Sequence, residues 1–240
     1  MRHLERFQLM RYHRPGSWHP RVRLRGKEHI DRALAAGKGA ILWGPHSPFS
    51  EVAFKMALHQ NGYADWHLSR LDHGHFSSTS FGVRFLNPLR VKIEDRYLAE
   101  RVVIDPADPT SGLARLAGLL AKNRLVSITV QAYSSSVTLV PFGNAELPFP
   151  SGPALLSIKT GAALLPIFTE RCPDGSFLVT VEAAIEAPAK AKLAEQVTGM
   201  LCRQSEIMYT YFQRVPSQYH YAYLHDVTEQ LNDLASSDAT

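Results

Sequence analysis

Short apolar runs alternate with stretches of helical period along most of this chain, and that alternation restricts the fold more than any other feature. Ala40-Ile-Leu-Trp-Gly44 reads as a buried strand, residues 64–69 and 101–104 as two more, and residues 125–130 as a fourth. Between them the period changes. Residues 27–36 place Ile30, Ala33 and Leu34 on one helical face and stop at Gly37. Ser47 suits a helix N-cap and Pro48 the first helical position, opening a helix that carries Val52, Ala53, Met56 and Ala57 inward and ends at Asn61-Gly62. Leu113, Leu116, Leu119 and Leu120 mark the helix before the fourth strand. Residues 137–142 are extended, and Ser151-Gly152-Pro153 opens a helix closed by Gly161. Residues 163–169 and 177–183 read as a strand pair turning at Pro173-Asp174-Gly175, followed by a long helix over 189–212 and an aromatic stretch with Tyr219, Tyr221 and Tyr223. Strands alternating with helices predict an α/β fold with a mostly parallel central sheet flanked by helices.

The chain has 240 residues, which suits one domain, expected over 26–234, with a disordered tail over 235–240. Residues 1–25 are expected to form a separate basic arm. Arg2, Arg6, Arg11, Arg14, Arg21, Arg23 and Arg25 face only Glu5 there, which concentrates the net charge of +4 at the start. Such an arm suits an anionic membrane surface or an acidic carrier protein. No nucleic acid partner is expected, because no recognised binding motif accompanies the charge. Cys172 and Cys202 are too few for a disulfide framework, and they lack metal-ligand spacing. No run approaches the ~20 apolar residues of a membrane span, and the polar start does not resemble a signal peptide. The expected location is cytoplasmic, with peripheral contact at the inner face of the membrane through the arm.

Chemistry is best supported at Gly44-Pro45-His46-Ser47-Pro48-Phe49-Ser50-Glu51. A histidine follows a buried strand and a carboxylate stands in the next helical turn, where open α/β sheets bind ligands. A carboxylate on one imidazole nitrogen fixes the tautomer and leaves the other free to take a proton. Among 11 histidines, roughly one His-x4-acid match arises by chance, and this chain has two, His46/Glu51 and His67/Asp72. Only the strand–turn–helix context separates the first from the second.

Several segments occur in the order found in the lysophospholipid acyltransferase superfamily. Gly37-Lys-Gly-Ala-Ile-Leu precedes His46 as that family's lead-in strand precedes its catalytic His-x4-Glu. Val137-Thr-Leu-Val-Pro-Phe-Gly143 resembles its "V-x-V-P-F-F-G" strand. Pro150-Ser-Gly-Pro-Ala-Leu-Leu156 and Thr160-Gly-Ala-Ala-Leu-Leu-Pro166 look like its "T-G-P-A-x-L-A … T-G-A-P-x-x-P". Arg171 followed by Asp174-Gly175 mirrors its Arg and hairpin turn, and Pro216-Ser-Gln-Tyr-His-Tyr-Ala-Tyr-Leu-His225 resembles its closing "P-x-Q-W-x-W-x-H-R-R". Over residues 22–226 the chain thus resembles the late (lauroyl and myristoyl) acyltransferases of lipid A biosynthesis. The family's usual first membrane helix is replaced by the basic arm, the Asp before the Phe-Gly strand by Gln131 to Ser136, and both closing tryptophans by tyrosines.

The resemblance implies an acyl carrier protein or CoA thioester as donor and a hydroxyl or amine of a lipid or small molecule as acceptor. His46 would be general base and Glu51 its orienting carboxylate. Arg70, at a strand end, and Arg171 would bind substrate phosphate or phosphopantetheine; Arg101 is a weaker candidate. Backbone N–H groups near Gly143, or at the helix start with Ser151 and Gly152, would receive the oxyanion. No cofactor beyond the thioester co-substrate is expected. Two rivals stand beside this reading. One is a non-catalytic acyl- or lipid-binding protein on the same fold. The other is a metal hydrolase using His67, Asp72, His73 and His75, although no second block of ligands accompanies that loop. Ser134-Ser135-Ser136 lacks the Gly-x-Ser-x-Gly elbow of a hydrolase nucleophile.

Overall fold

The computed structural model describes residues 20–45, 50–70, 84–85, 87–104, 108–130 and 137–218. Their elements run β1 (Val22–Arg25), α1 (Lys27–Ala35), β2 (Ala40–Pro45), α2 (Ser50–Gln60), β3 (Asp65–Arg70), α3 (Asn87–Glu94), a 3-10 turn (Asp95–Tyr97) and β4 (Glu100–Ile104). The second half runs α4 (Pro109–Leu120), β5 (Leu125–Val130), β6 (Val137–Phe142), β7 (Ala145–Pro150), α5 (Gly152–Thr160), β8 (Ala163–Arg171), β9 (Phe177–Val181) and α6 (Leu193–Arg214).

Seven strands form one sheet in the order β1-β9-β8-β2-β5-β3-β4. From β8 to β4 neighbouring strands are parallel. At the other edge β9 turns back antiparallel to β8, and β1 pairs parallel to β9. The sheet is therefore mostly parallel, as the alternation of elements requires. β6 and β7 pair antiparallel as a separate hairpin.

Side chains of β2 alternate between two apolar layers, so the strand reads as a continuous hydrophobic run. Ala40 and Leu42 point to one face, with Ile30 and Ala33 of α1 and Phe54, Ala57 and Leu58 of α2. Ile41 and Trp43 point to the other, with Leu116 and Leu120 of α4, Ala154 and Leu156 of α5, and Met200, Leu201 and Met208 of α6. The hairpin belongs to this second layer, where Phe149 meets Trp43 edge-on at 5.9 Å.

Most expected elements are present within a few residues of the expected bounds. Neither α3 nor β7 was expected, and three further differences stand out. Val22–Arg25 forms an edge strand, so the sheet takes the last four residues of the expected 1–25 arm. The long helix begins at Leu193 and not near 189. Leu113, placed on the inward face of its helix by period, is 37% exposed in the first turns of α4. The rest of the arm, the 235–240 tail and Tyr219, Tyr221 and Tyr223 lie outside the described residues. Among the described residues no helix is long and apolar enough to cross a membrane.

Candidate active site

Four parallel strands leave the sheet on one line. Pro45 of β2 is level with Val130 of β5, and Arg70 of β3 with Ile104 of β4. The His67–Ser127 register, carried three residues further, sets Arg70 level with Val130. Adjacent strands lie about 4.8 Å apart, so the backbone of Arg70 is about 10 Å across the sheet from Pro45, with β5 between them. The starts of α2 and α4 face this same end, each following a strand that exits there. α5 also starts at this end, because it finishes two residues before β8 enters the sheet alongside β2. Helix N-termini carry partial positive charge and unpaired N–H groups.

Gly44 lets β2 reach this edge. A Cβ there would lie 2.3 Å from the carbonyl oxygen of Ile167 on β8, so no larger residue fits between the strands without separating them. His46 follows immediately after Pro45 but lies, with Ser47 and Pro48, outside the described residues. Glu51 stands in the first turn of α2, and Arg70 is the last residue of β3; the side chains of both lie outside the description. The backbone thus brings positions 45, 51 and 70 to one end of the sheet.

The other expected residues divide. Gly152 begins α5, with a buried Ser151 as its N-cap and Pro153 in its first turn. Gly143 sits in the β6–β7 turn at φ +62, and a Cβ there would meet the Tyr209 ring of α6 at 2.6 Å. The whole of β7 separates it from Gly152, on the order of 20 Å of strand, so the two cannot donate to one oxyanion. Arg171 ends β8 three residues past the level of Pro45, about 10 Å beyond the line of exits. Its backbone is held by Gln218, which accepts from the Arg171 N–H at 2.8 Å and donates to its carbonyl at 2.9 Å. Arg101 is committed to the interior: it pairs with Glu94 and Asp95, and donates to Ser69 at 3.1 Å.

Of the four residues in the metal reading, only His67 is described. That residue is buried in the middle of β3, with Nδ1 2.8 Å from the Ser127 hydroxyl and its ring against Phe54. Among the described residues no group of three or more His, Cys, Asp or Glu could hold a metal ion; Asp72, His73, His75 and the serines 134–136 lie outside them. Cys172 and Cys202 are free thiols, and Arg23 reaches the sulfur of Cys172 at 3.5 Å.

Beneath α2 the structure has a buried polar strip that the sequence reading missed. The Ser127 hydroxyl lies 2.7 Å from Asp65 Oδ2. Lys55 of α2, fully buried and one turn after Glu51, donates to Glu94 of α3 at 2.7 Å. Burial pushes the Asp65 carboxyl up to about 7, against the downward pull of the Ser127 bond and the Lys55 charge. Burial pulls Lys55 down, opposed by Glu94. The signal available in sequence was the alternation Asp65-Trp66-His67-Leu68-Ser69 in a strand that helices cover on both sides. There the polar face must find internal partners.

No protein-family model and no curated protein sequence matches this chain.

Proposed function

We propose that this chain is an acyltransferase of the lysophospholipid-acyltransferase type. It would move a fatty acyl group from an acyl carrier protein or CoA thioester onto a hydroxyl or amine of a lipid or small molecule. One observation carries the reading. β2 leaves the parallel sheet at Pro45 and α2 begins at Ser50, so the pair His46/Glu51 brackets the turn at the strand's carboxyl end, where such sheets bind substrate. The ordered motifs shared with the late acyltransferases of lipid A biosynthesis add to it.

In this mechanism His46 takes the acceptor's proton as its oxygen or nitrogen attacks the thioester carbonyl. Glu51 holds the ring and favours the imidazolium. The C–S bond then breaks, and the departing thiolate takes the proton from His46. The N–H groups opening α5 at Gly152 suit the oxyanion better than Gly143, whose turn is set against Tyr209. Arg70, level with the strand exits, is the choice for donor phosphate. The basic arm would meet the acidic carrier protein or an anionic bilayer.

The test is release of free thiol from acyl-carrier-protein and acyl-CoA donors, with acceptor extracts and product mass spectrometry. Thiol release that requires acceptor supports transfer, and His46→Ala should lower its rate by on the order of 10²–10⁴. Near-native turnover in that variant removes His46 as base. Thioester bound without turnover in any extract favours the acyl-binding protein.

A further inference from the structure

We propose that Asp65, Ser127 and His67 form an internal proton relay, in which one proton on the chain decides whether Nε2 of His67 carries hydrogen. The argument starts from the bonds. Ser127, buried on β5, lies 2.7 Å from Asp65 Oδ2 and 2.8 Å from His67 Nδ1. Its hydroxyl has one hydrogen to give to two partners. When Asp65 is ionised it can only accept, so that hydrogen points to Oδ2. The Ser127 oxygen must then receive hydrogen from Nδ1. A neutral His67 in this state has its hydrogen on Nδ1 and none on Nε2.

A single added proton has two resting places of equal overall charge. It can sit on Nε2, making His67 an imidazolium opposite an ionised Asp65. Alternatively, the Nδ1 hydrogen passes to Ser127 Oγ while the hydrogen of Ser127 passes to Asp65 Oδ2. That leaves a carboxylic acid and a neutral ring with hydrogen on Nε2. Two O–H or N–H bonds break, two form, and nothing else changes. In both forms Nε2 bears hydrogen; without the extra proton it does not. Oδ2 rather than Oδ1 holds the acid hydrogen, because Oδ1 has no hydrogen-bond partner to receive it.

The surroundings favour the protonated chain. Among the described residues, Lys55 from α2 and Arg101 from β4 face Glu94 at the end of α3 and Asp95 in the following turn. Lys55 also attracts Asp65, but burial outweighs that attraction, so an Asp65 anion beside a neutral His67 is disfavoured. The pH at which the proton leaves falls near neutrality, since burial holds the Asp65 carboxyl up at about 7. The relay follows from the fold and does not depend on acyl transfer. If the chain is an acyltransferase, this switch lies under the helix that presents Glu51.

The experiment is an imidazole ¹⁵N titration of the full-length protein between about pH 5 and pH 9, which needs no substrate. The expected result is that Nε2 of His67 loses hydrogen as pH rises while Nδ1 keeps it in the deprotonated state. Ser127→Ala should uncouple the two groups and move the His67 midpoint by at least about one pH unit, and Ser127→Thr should restore it. A wild-type ring that gives up the Nδ1 hydrogen, or a Ser127→Ala midpoint equal to wild type, overturns the relay. The wild-type arm decides even if a variant does not fold.

Discussion

Asp65 has one carboxylate oxygen bonded to Ser127 and the other without a partner, in a place where water does not reach. In the unfolded chain its proton leaves near pH 4; in the folded chain it stays to about 7. Between those values the folded state holds a proton that the unfolded state has lost, so stability falls as pH rises from about 4 to about 7, by on the order of a few kcal/mol. Asp65→Asn, which keeps the shape and cannot ionise, should flatten that slope in urea titrations across the range. Lys55 makes the reverse kind of contribution. It is bonded to Glu94 and its charge acts on Asp65, and Lys55→Met should cost about 3 kcal/mol or more by leaving buried acids short of charge. A matching Glu94→Gln in the same chain should recover part of the loss, which a double-mutant cycle would read.

At the scale of elements, Gly44 shows how closely the sheet is drawn together next to the proposed base. Gly44→Ala would press a methyl carbon against the Ile167 carbonyl and force β2 away from β8. The expected result is a loss of about 2 kcal/mol or more in denaturant unfolding, with a larger loss of thiol-release activity, because the exit of β2 moves with it. The same scale shows what could be read before the structure was known. β2 and β5 were legible as strands because runs such as Ala40-Ile-Leu-Trp and Leu125-Val-Ser-Ile leave few alternatives once helices flank them. β7 was not. Its Ala-Glu-Leu-Pro-Phe-Pro carries two prolines, which ordinarily argue against a strand and are tolerated here in an isolated hairpin. β1 was lost to its arginines, which made a strand look like part of a charged arm. Of the candidate site, the strand end at Pro45 and the helix that carries Glu51 were legible. The polar strip was not, because Asp65, His67 and Ser69 look like an exposed face until α2 is seen to cover it.

For the whole molecule, the described sheet already takes in Val22–Arg25 at its edge. A chain beginning at Gly26 loses β1 and uncovers the backbone of β9, which a chain beginning at Pro20 keeps paired. A several-degree drop in Tm between the two truncations is expected, read by calorimetry. Among the described residues the outer strands of the seven-stranded sheet are β1 and β4. On β1 the exposed positions are Arg23 and Arg25, alternating with half-buried Val22 and Leu24. An outer strand with unmatched amides invites another copy to zip onto it, and guanidinium groups at every second position make that approach repulsive. The arginines that disguised this strand in the sequence therefore act as a guard against fibre-like stacking. Solutions of an Arg23→Thr, Arg25→Thr double variant should scatter light at concentrations where the parent stays clear.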